Sequence, residues 1–311
     1  MLALPVAAES VRIALWHEAL SRAGPGVLLR DLQRADPDLR ALASHIRTAD
    51  PDILVLTKID FDARGLAARA FGDLIEEGRF THIMPLRSNE GVRSGIDLNG
   101  DGWSGDPDDA HGYGWFPGQG ALAVLSRYPI NVHEAQTFND MLWKDLPGTH
   151  ILPSDIGHDV QRLSSGGHWV VPVSVGTGQL TLLVGHSGPP VFDGPEDRNG
   201  RRNLDELALW SRIIVEEKDR DLVFAANTNL DPRAGDGYRQ AMAEFLSSGV
   251  FQDPLSDTPT AMWDDPGPMR VSYLLPSANL SVADARLWPL IPDTTHHLIT
   301  LDIDLPSPGE P

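Results

Sequence analysis

The chain of 311 residues contains no cysteine. This absence excludes disulfides, thiolate metal sites, iron–sulfur clusters and a cysteine nucleophile. Basic residues are also scarce, with 25 Lys and Arg against 44 Asp and Glu, which gives a formal net charge of −19. So acidic a chain repels nucleic acid and anionic membranes at long range, although it does not forbid a local basic pocket. We therefore expect no nucleic-acid partner.

Long hydrophobic runs are missing too, so we expect no membrane span. Near the N-terminus, Val6-Ala7-Ala8 before Glu9 is similar to the small-residue cleavage site of an export signal, but the charged and long apolar parts of such a signal are absent. Two interpretations stay open. A trimmed export signal over residues 1–10 predicts a periplasmic or secreted protein, and a short natural N-terminus predicts a cytoplasmic one. Residues 306–311 are expected to form a tail.

Hydrophobic patterns predict alternating strands and helices along the chain. Short apolar runs predict strands, for example over residues 52–57 and 121–126, and apolar residues at helical spacing predict helices, for example over 36–49 and 200–217. This alternation favours one α/β domain over residues 11–305. In the helix predicted over 200–217, one face should point inward. That face consists of Leu204, Leu207, Ala208, Ser211 and Ile214.

A Gly- and Asp-rich segment over residues 87–119 contains the order D-x-N-x-D-G, which is typical of a calcium loop. In such a loop, oxygen ligands at alternate positions converge on one hard cation and the glycine provides a sharp turn. The flanking helices of an EF-hand are absent, so this would be a structural calcium loop on another scaffold. A solvated acidic turn is the alternative. The predicted calcium ligands are Asp97, Asn99, Asp101, Trp103 through its backbone carbonyl, and Asp108.

Several ordered segments of the chain resemble those of one protein family. The longest, PPVFDGPEDRNGRRN, follows His186 and spans residues 189–203. The others are residues 24–31, the acidic loop with residues 108–110, and residues 116–119, 125–129 and 162–165. Over about residues 12–303 the chain thus resembles the endonuclease/exonuclease/phosphatase superfamily, in particular its exported bacterial branch. The resemblance implies a DNase I-like fold, a four-layer α/β sandwich of two facing mixed sheets.

Members of this superfamily are hydrolases that cleave phosphate esters with a divalent metal ion. Carboxylates hold Mg²⁺, an Asp orients the attacking water, and histidines stabilise the phosphoryl charge. The resemblance carries over three site positions unchanged, which are His186, Asn229 and His296. Five further positions are substituted: His17 stands where the family has Asn, Lys58 where it has a metal-binding Glu, and Asn227, Ser272 and Thr295 where it has Asp.

These substitutions share one direction, because four carboxylates are lost and Lys58 is gained. Two like unit charges 4 Å apart repel by about 4 kcal/mol at moderate dielectric, so an ammonium disfavours a divalent cation beside it. The resemblance therefore implies a catalytically degenerate protein, or pseudoenzyme, in which magnesium or a transition metal is doubtful at the former active site. Its neutral-to-positive pocket would bind a small anion or phosphate. Alternatively, its function has moved to a surface that binds a protein partner.

Two other hypotheses retain an enzymatic reaction. His17, His186 and His296 could hold Zn²⁺ or another transition ion in a remodelled His-rich metal site. Alternatively, a displaced carboxylate could restore a metal-dependent phosphoesterase or nuclease, and the candidates are Glu18, Asp60, Asp62, Asp193 and Asp231. The basic residues Arg198, Arg201 and Arg202 would either reach the rim of the pocket or pin a loop by ion pairs.

Overall fold

The structure is a computed structural model and describes residues 9–18 and 20–305. The strands are β1 (Glu9–Trp16), β2 (Ile53–Ile59), β3 (His82–Leu86), β4 (Ala121–Ser126), β5 (Gln136–Thr137), β6 (Gly167–Val175), β7 (Gly178–His186), β8 (Asp221–Asn227), β9 (Ala261–Met262), β10 (Pro268–Met269), β11 (Ser272–Pro276), β12 (Ser281–Leu287) and β13 (Ile299–Leu305). The α-helices are α1 (Val27–Gln33), α2 (Pro37–Ala49), α3 (Leu66–Ile75), α4 (Arg198–Glu216) and α5 (Arg239–Leu246).

Two mixed sheets form the centre of the molecule. One has six strands in the order β12-β13-β1-β2-β4-β3, and the other has five in the order β11-β8-β7-β6-β5. Most neighbouring strands are antiparallel, whereas β1 with β2 and β7 with β8 are parallel pairs. Strands β9 and β10 form a separate small ribbon. The predicted four-layer α/β sandwich is thus confirmed.

Both faces of each sheet are covered. Alternate residues of β1, such as Val11 and Ile13, lie in an apolar core shared with the second sheet, while Ala14 and Trp16 pack with helices α1, α2 and α3. Helices α4 and α5 cover the outer face of the second sheet in the same way. Because these strands bury side chains on both faces, they read as continuous apolar runs in the sequence rather than as alternating patterns.

Local signals set several boundaries as predicted. Helix α2 begins after Asp36, whose carboxylate accepts the backbone N–H of Asp38 at 3.0 Å, and Pro37 occupies its first position. Strand β4 has the predicted bounds. Strand β12 was not predicted, because it is a sheet-edge strand whose residues are exposed or half-buried and include no continuous apolar run.

The inward face predicted for α4 is partly wrong. Ser211 is exposed, whereas Asn203, Asp205 and Glu206 are buried. These polar side chains are tolerated inside because loops that cross the helix supply hydrogen-bond partners, which the apolar spacing of one helix cannot reveal.

The predicted division into a signal region, one domain over residues 11–305 and a tail stays a prediction. Of the predicted signal region, residues 1–8 lie outside the described residues, while residues 9 and 10 belong to β1. The predicted tail, residues 306–311, also lies outside them. Among the helices that the structure describes, none combines the length and the apolar character needed to cross a membrane.

Candidate functional site

Polar side chains from five strands meet at one edge of the sandwich. His17 directly follows β1, Lys58 lies near the end of β2, and His186 ends β7. In the second sheet, the register pairs Asn227 at the end of β8 with His186 on one side and with Ser272 on the other. The strand pairing therefore brings together residues that lie far apart in the sequence.

Three buried imidazoles form the centre of this site. The His17 ring lies between those of His186 and His296, with a centroid separation of 4.6 Å to each. Nδ1 of His17 lies 3.0 Å from the hydroxyl of Thr57. The ring of His296 also meets the indole of Trp263 edge to face at 5.2 Å. The structure thus brings together the three histidines that the resemblance placed at one site.

Burial keeps these imidazoles neutral. It is the largest cause that lowers the pKa of His186 and of His296 to about 3, and the charge of Lys58 is the next. The pKa of His17 also lies well below its ordinary value, first because of burial and then because of the other two histidines and Lys58. At neutral pH the positive charge of the site therefore resides on Lys58, not on the rings.

Neutral hydrogen bonds connect the positions where the family has carboxylates. The hydroxyl of Ser272 donates to Oδ1 of Asn227 at 3.1 Å, and Nδ2 of Asn227 donates to Oδ1 of Asn229 at 3.0 Å. Nδ2 of Asn229 in turn donates to the carbonyl of Ser187 at 2.7 Å and lies 3.4 Å from Nε2 of His186. These amides and hydroxyls satisfy one another and carry no charge.

The side chain at position 295 does not orient the histidine beside it. Thr295 is exposed, and its backbone N–H donates to the carboxylate of Glu18 at 3.1 Å. Within the described residues, Nδ1 of His296 is buried without a hydrogen-bond partner, and so is Nδ1 of His186. Buried polar atoms are usually hydrogen-bonded in proteins, so both ring nitrogens remain open to a hydrogen-bond partner.

Glu90 is a site residue that sequence reasoning missed. Its Oε1 lies 3.5 Å from Nδ1 of His186, outside hydrogen-bond geometry, and its Oε2 has no hydrogen-bond partner among the described residues. Burial raises the pKa of Glu90 well above its ordinary value, while the charge of Lys58 opposes this rise. Glu90 enters the site from the irregular segment 87–119, where periodicity says nothing about direction. The one available signal was that it is the only Glu of that segment.

A divalent metal ion does not fit these side chains. Across residues 9–18 and 20–305, no three His, Asp or Glu side chains are arranged to hold a metal ion. The displaced carboxylates considered from the sequence accept backbone N–H groups instead: Glu18 those of Thr295 and His296, Asp60 those of Arg22 and Gly120, Asp62 those of Arg64, Leu66 and Ala67, Asp193 that of Asn199, and Asp231 those of Arg233, Ala234 and Arg270.

The three arginines of the longest family segment hold loops in place. They donate mainly to backbone carbonyls: Arg198 to Leu98 and Ile156, Arg201 to His150, and Arg202 to His111, Arg162 and Leu163. Arg201 also pairs with Asp155 at 2.8 Å. Burial lowers the pKa of Arg202 to about 10. Of the two roles considered from the sequence, these contacts match the one that pins a loop.

In the acidic loop, the predicted calcium ligands bind backbone N–H groups of the loop itself. Asp97 accepts from Gly100 at 2.6 Å and from Gly102 at 2.8 Å, Asn99 accepts from Asp101 at 3.1 Å, and Asp101 accepts from Trp103 at 2.8 Å. Partial burial and the neighbouring carboxylates of Asp106, Asp109 and Asp101 raise the pKa of Asp108. Calcium binding by this loop stays a prediction.

Lys58 also borders an open cleft of about 550 Å³. The cleft is lined by Ser21, Arg22, Ala23, Lys58, Trp115 and Gln119. It gives the cation of the site a route to solvent.

Comparison with known proteins agrees with this architecture. The family model described as "Endonuclease/Exonuclease/phosphatase family" matches residues 20–296. No curated protein sequence matches significantly. Similar solved structures include an endonuclease/exonuclease/phosphatase from Beutenbergia cavernae DSM 12333, which is 16% identical in sequence. The match covers 95% of this chain and 72% of that chain, with a TM-score of 0.61. A family protein from Leptotrichia buccalis C-1013-b has 13% identity, with 95% of this chain and 100% of that chain covered and a TM-score of 0.57. A 3′ phosphatase from Neisseria, bound to a product DNA hairpin, is 18% identical in sequence. The match covers 95% of this chain and 100% of that chain, with a TM-score of 0.52. At such identities these structures support the fold alone.

Proposed function

The chain belongs to the endonuclease/exonuclease/phosphatase family, and we propose that it is a catalytically degenerate member whose former active-site pocket binds a small anion without a metal ion. The observation that carries this proposal is Lys58. It stands where the resemblance puts a metal-binding Glu, and its charge lowers the pKa of all three buried histidines. A cation in that place repels a divalent metal and attracts an anion.

The neutral network around Asn227 supports the same proposal. Metal-dependent phosphoester hydrolysis requires carboxylates that hold the ion and activate water. Asn227 and Ser272 are instead bonded to each other at 3.1 Å, and neither can take up a proton from water at neutral pH. His296 lacks a partner on Nδ1 within the described part of the chain, so nothing there stabilises its protonated form.

Anion binding would use short-range contacts. The net charge of −19 repels anions at a distance, but screening confines that repulsion to about 8 Å at physiological ionic strength. Inside the pocket, the Lys58 ammonium supplies charge and imidazole N–H groups supply hydrogen bonds. Burial raises the pKa of Glu90 well above its ordinary value, which weakens its competition with a bound anion.

The direct test measures turnover and binding together. We expect no metal-dependent hydrolysis of bis(p-nitrophenyl) phosphate or p-nitrophenyl phosphate with Mg²⁺, Mn²⁺, Ca²⁺ or Zn²⁺. Calorimetry should detect inorganic phosphate binding that Lys58→Met abolishes and that the exposed-site control Lys218→Met retains. Metal-dependent turnover that His186→Ala abolishes would contradict the proposal and favour a metal-dependent phosphoesterase with a remodelled His-rich site.

Reversion tests the correspondence of positions. The combined variant K58E/N227D/S272D/T295D restores the four acids that the resemblance implies, and we expect it to gain Mg²⁺-dependent phosphodiester hydrolysis. A variant that is folded by circular dichroism, binds Mg²⁺ and yet stays inert would show that lost carboxylates are not the cause of inactivity.

For the acidic loop we propose a bound calcium ion with a structural role. Partial burial and then the neighbouring carboxylates raise the pKa of Asp108, and a cation would relieve the repulsion among these carboxylates. Calcium should therefore raise the melting temperature of the parent protein but not that of D97N/D101N, and the exposed-residue control D264N should behave like the parent. An equal response of all three proteins to calcium would rule this loop out.

A protein partner is the second candidate function. Phe192 favours it, because this side chain is 90% exposed in the segment that follows β7. Exposed aromatic side chains are frequent anchors of protein interfaces. The proposal predicts that Phe192→Ser weakens capture of a partner from the native extract while phosphate binding by calorimetry is unchanged. Equal capture by both proteins would exclude Phe192 as an anchor.

A further inference from the structure

The cleft beside Lys58 has the size of a small-molecule site. Its volume of about 550 Å³ lies within the range of roughly 300–1,000 Å³ that such sites occupy. Lys58 forms one wall and Trp115 another. A ligand that reaches the ammonium through the cleft therefore also meets the indole.

Trp115 is exposed, as is Trp103 outside the cleft lining. The side chain of Trp115 is 64% exposed, whereas Trp16, Trp143 and Trp210 are almost completely buried. An indole left open to solvent on the wall of a cleft offers a flat apolar face for a planar group. This feature belongs to the cleft and not to the buried histidine cluster.

The wall that carries Trp115 is formed in advance. The backbone N–H of Trp115 donates to Oε1 of Gln119 at 2.7 Å, and the carbonyl of Gly118 accepts from the backbone N–H of Phe61 at 2.7 Å. On the other side, Gly91 lies so close to Phe116 that a Cβ at position 91 would fall 1.9 Å from the Phe116 carbonyl oxygen. The loop is therefore held against its neighbours, and little ordering cost is left for ligand binding.

Lys58 is the cation of this cleft that forms no ion pair within the described residues, although its charge acts on the nearby Glu90 carboxyl group. Arg22, which also lines the cleft, lies 3.4 Å from the carboxylate of Asp31, and the Ser21 hydroxyl donates to Asp60 at 2.7 Å. The Lys58 ammonium can therefore bind the acid group of a ligand by charge-assisted hydrogen bonds.

An orphaned buried atom lies beside the stem of Lys58. The point where a Cβ on Gly120 would stand is 2.7 Å from Oε2 of Glu90 and 3.7 Å from Cγ of Lys58. Oε2 of Glu90 is the atom without a hydrogen-bond partner in the described structure. Glu90 is not among the residues that line the cleft, so contact with a ligand in the cleft falls to Lys58.

We propose that the anion bound at Lys58 is attached to a flat ring that stacks on Trp115, which makes the ligand class an aromatic acid, an aryl carboxylate or an aryl phosphate. The acid group meets Lys58, and the ring lies on the indole. This inference rests on the proposed function, because it deepens the same anion site.

Calorimetry with four probes tests the ring and the acid separately. The probes are benzoate and acetate, which differ by the ring, and phenyl phosphate and inorganic phosphate, which differ in the same way. We expect each ring-bearing probe to bind about tenfold more tightly than its ringless counterpart, since a stacked aromatic pair contributes on that order. Comparison of benzoate with phenyl phosphate then tells which acid group the site takes.

Matched variants assign the effect to residues. Trp115→Ala should remove the preference for the ring and leave acetate and phosphate affinities unchanged, whereas Tyr113→Ala, at an aromatic side chain of similar exposure outside the cleft lining, should change nothing. Lys58→Met or Lys58→Gln should lose all four probes, and Lys218→Met should keep them.

Two results would overturn the inference in different ways. Equal affinity for ring-bearing and ringless anions, with both lost in the Lys58 variants, refutes the aromatic ligand and leaves the proposed anion site intact. Binding of no probe, or binding that the folded Lys58 variants retain, refutes the anion site and the inference together.

Discussion

Two buried polar regions of this protein differ in how completely their groups are paired. The helix cluster, formed by Arg201, Arg202, Asp205 and Glu206 of α4, finds partners on the loops that cross it. The histidine pocket, formed by His17, His186, His296, Lys58 and Glu90, keeps buried atoms without partners among the described residues.

The difference teaches that burial alone does not identify a functional group. In the helix cluster, the carboxylate of Asp205 accepts from the indole of Trp143 at 2.6 Å and from both the backbone and the ring of His150 at 2.6 Å. Such closed sets of hydrogen bonds stabilise a fold. A pocket that tolerates unpaired polar atoms gives up stability, and this is typical of sites that bind something.

The largest expected effect on stability comes from substitution of Asp205. Asp205→Ala leaves the buried indole N–H of Trp143 and the backbone N–H of the exposed His150 without their acceptor, so we expect a loss of about 3–5 kcal/mol in the free energy of unfolding. Urea denaturation measures it. The exposed-site control Asp264→Ala should change stability by less than about 0.5 kcal/mol. A loss below about 1 kcal/mol at Asp205 would break the distinction between the two regions.

The next effect concerns Glu206 and has a defined sign. Burial raises the pKa of Glu206 to about 7 from an ordinary 4.5, although Arg202 and the N–H groups of Ser165 and Gly188 oppose the rise. The folded state therefore holds a proton that the unfolded chain releases, so this contribution is complete below pH 4.5 and is lost as the pH rises to about 7.

The test compares parent and Glu206→Gln by urea denaturation across that range. Between pH 4.5 and about 7, the free energy of unfolding of the parent should fall by about 2–3 kcal/mol more than that of the variant. The exposed control Glu244→Gln should follow the parent. Parallel pH profiles of parent and Glu206→Gln would show that Glu206 does not titrate differently in the folded state.

A smaller effect is expected in the histidine pocket. His296→Phe keeps a ring against Trp263 and removes an orphaned Nδ1, so the free energy of unfolding should change by no more than about 1 kcal/mol in either direction. Urea denaturation beside Asp205→Ala gives the comparison directly. Equal losses in the two variants would mean that the pocket is as structural as the helix cluster.

The smallest effect sharpens the electrostatic part of the comparison. Lys58→Met removes the second-largest cause of the low pKa values of His186 and His296, so both pKa values should rise while burial keeps them below the ordinary 6.5. NMR titration of the imidazole C–H signals measures this. The control Lys218→Met should leave both histidine pKa values unchanged. Unchanged pKa values in Lys58→Met as well would show that the charge of Lys58 does not act on the rings.

The same titration has a consequence for stability. A histidine with a lowered pKa in the folded state binds fewer protons there than in the unfolded chain, so its contribution is complete above pH 6.5 and is lost as the pH falls toward about 3. We expect Lys58→Met to lose less stability over that interval than the parent.

Much of the fold was predictable because local patterns carry it. The apolar run of β4 and the capping signal before α2 were each sufficient to locate an element. The exposed strand β12 and the polar inward face of α4 were not predictable in this way, since their partners come from other parts of the chain. The histidines were predictable through family resemblance alone, and the sole signal for Glu90 was that it is the only Glu of segment 87–119.

The sequence by itself determined the class of fold, because doubly buried strands need continuous apolar runs. Through the family resemblance it also predicts that Lys58 stands where a metal-binding Glu would be, which stays a prediction. The tertiary structure alone decided which groups meet. Strand register brings Asn227 beside His186 and Ser272, burial makes the imidazoles neutral, and an irregular loop delivers Glu90. Charge state and contact depend on desolvation and distance, and neither is a local property of a sequence.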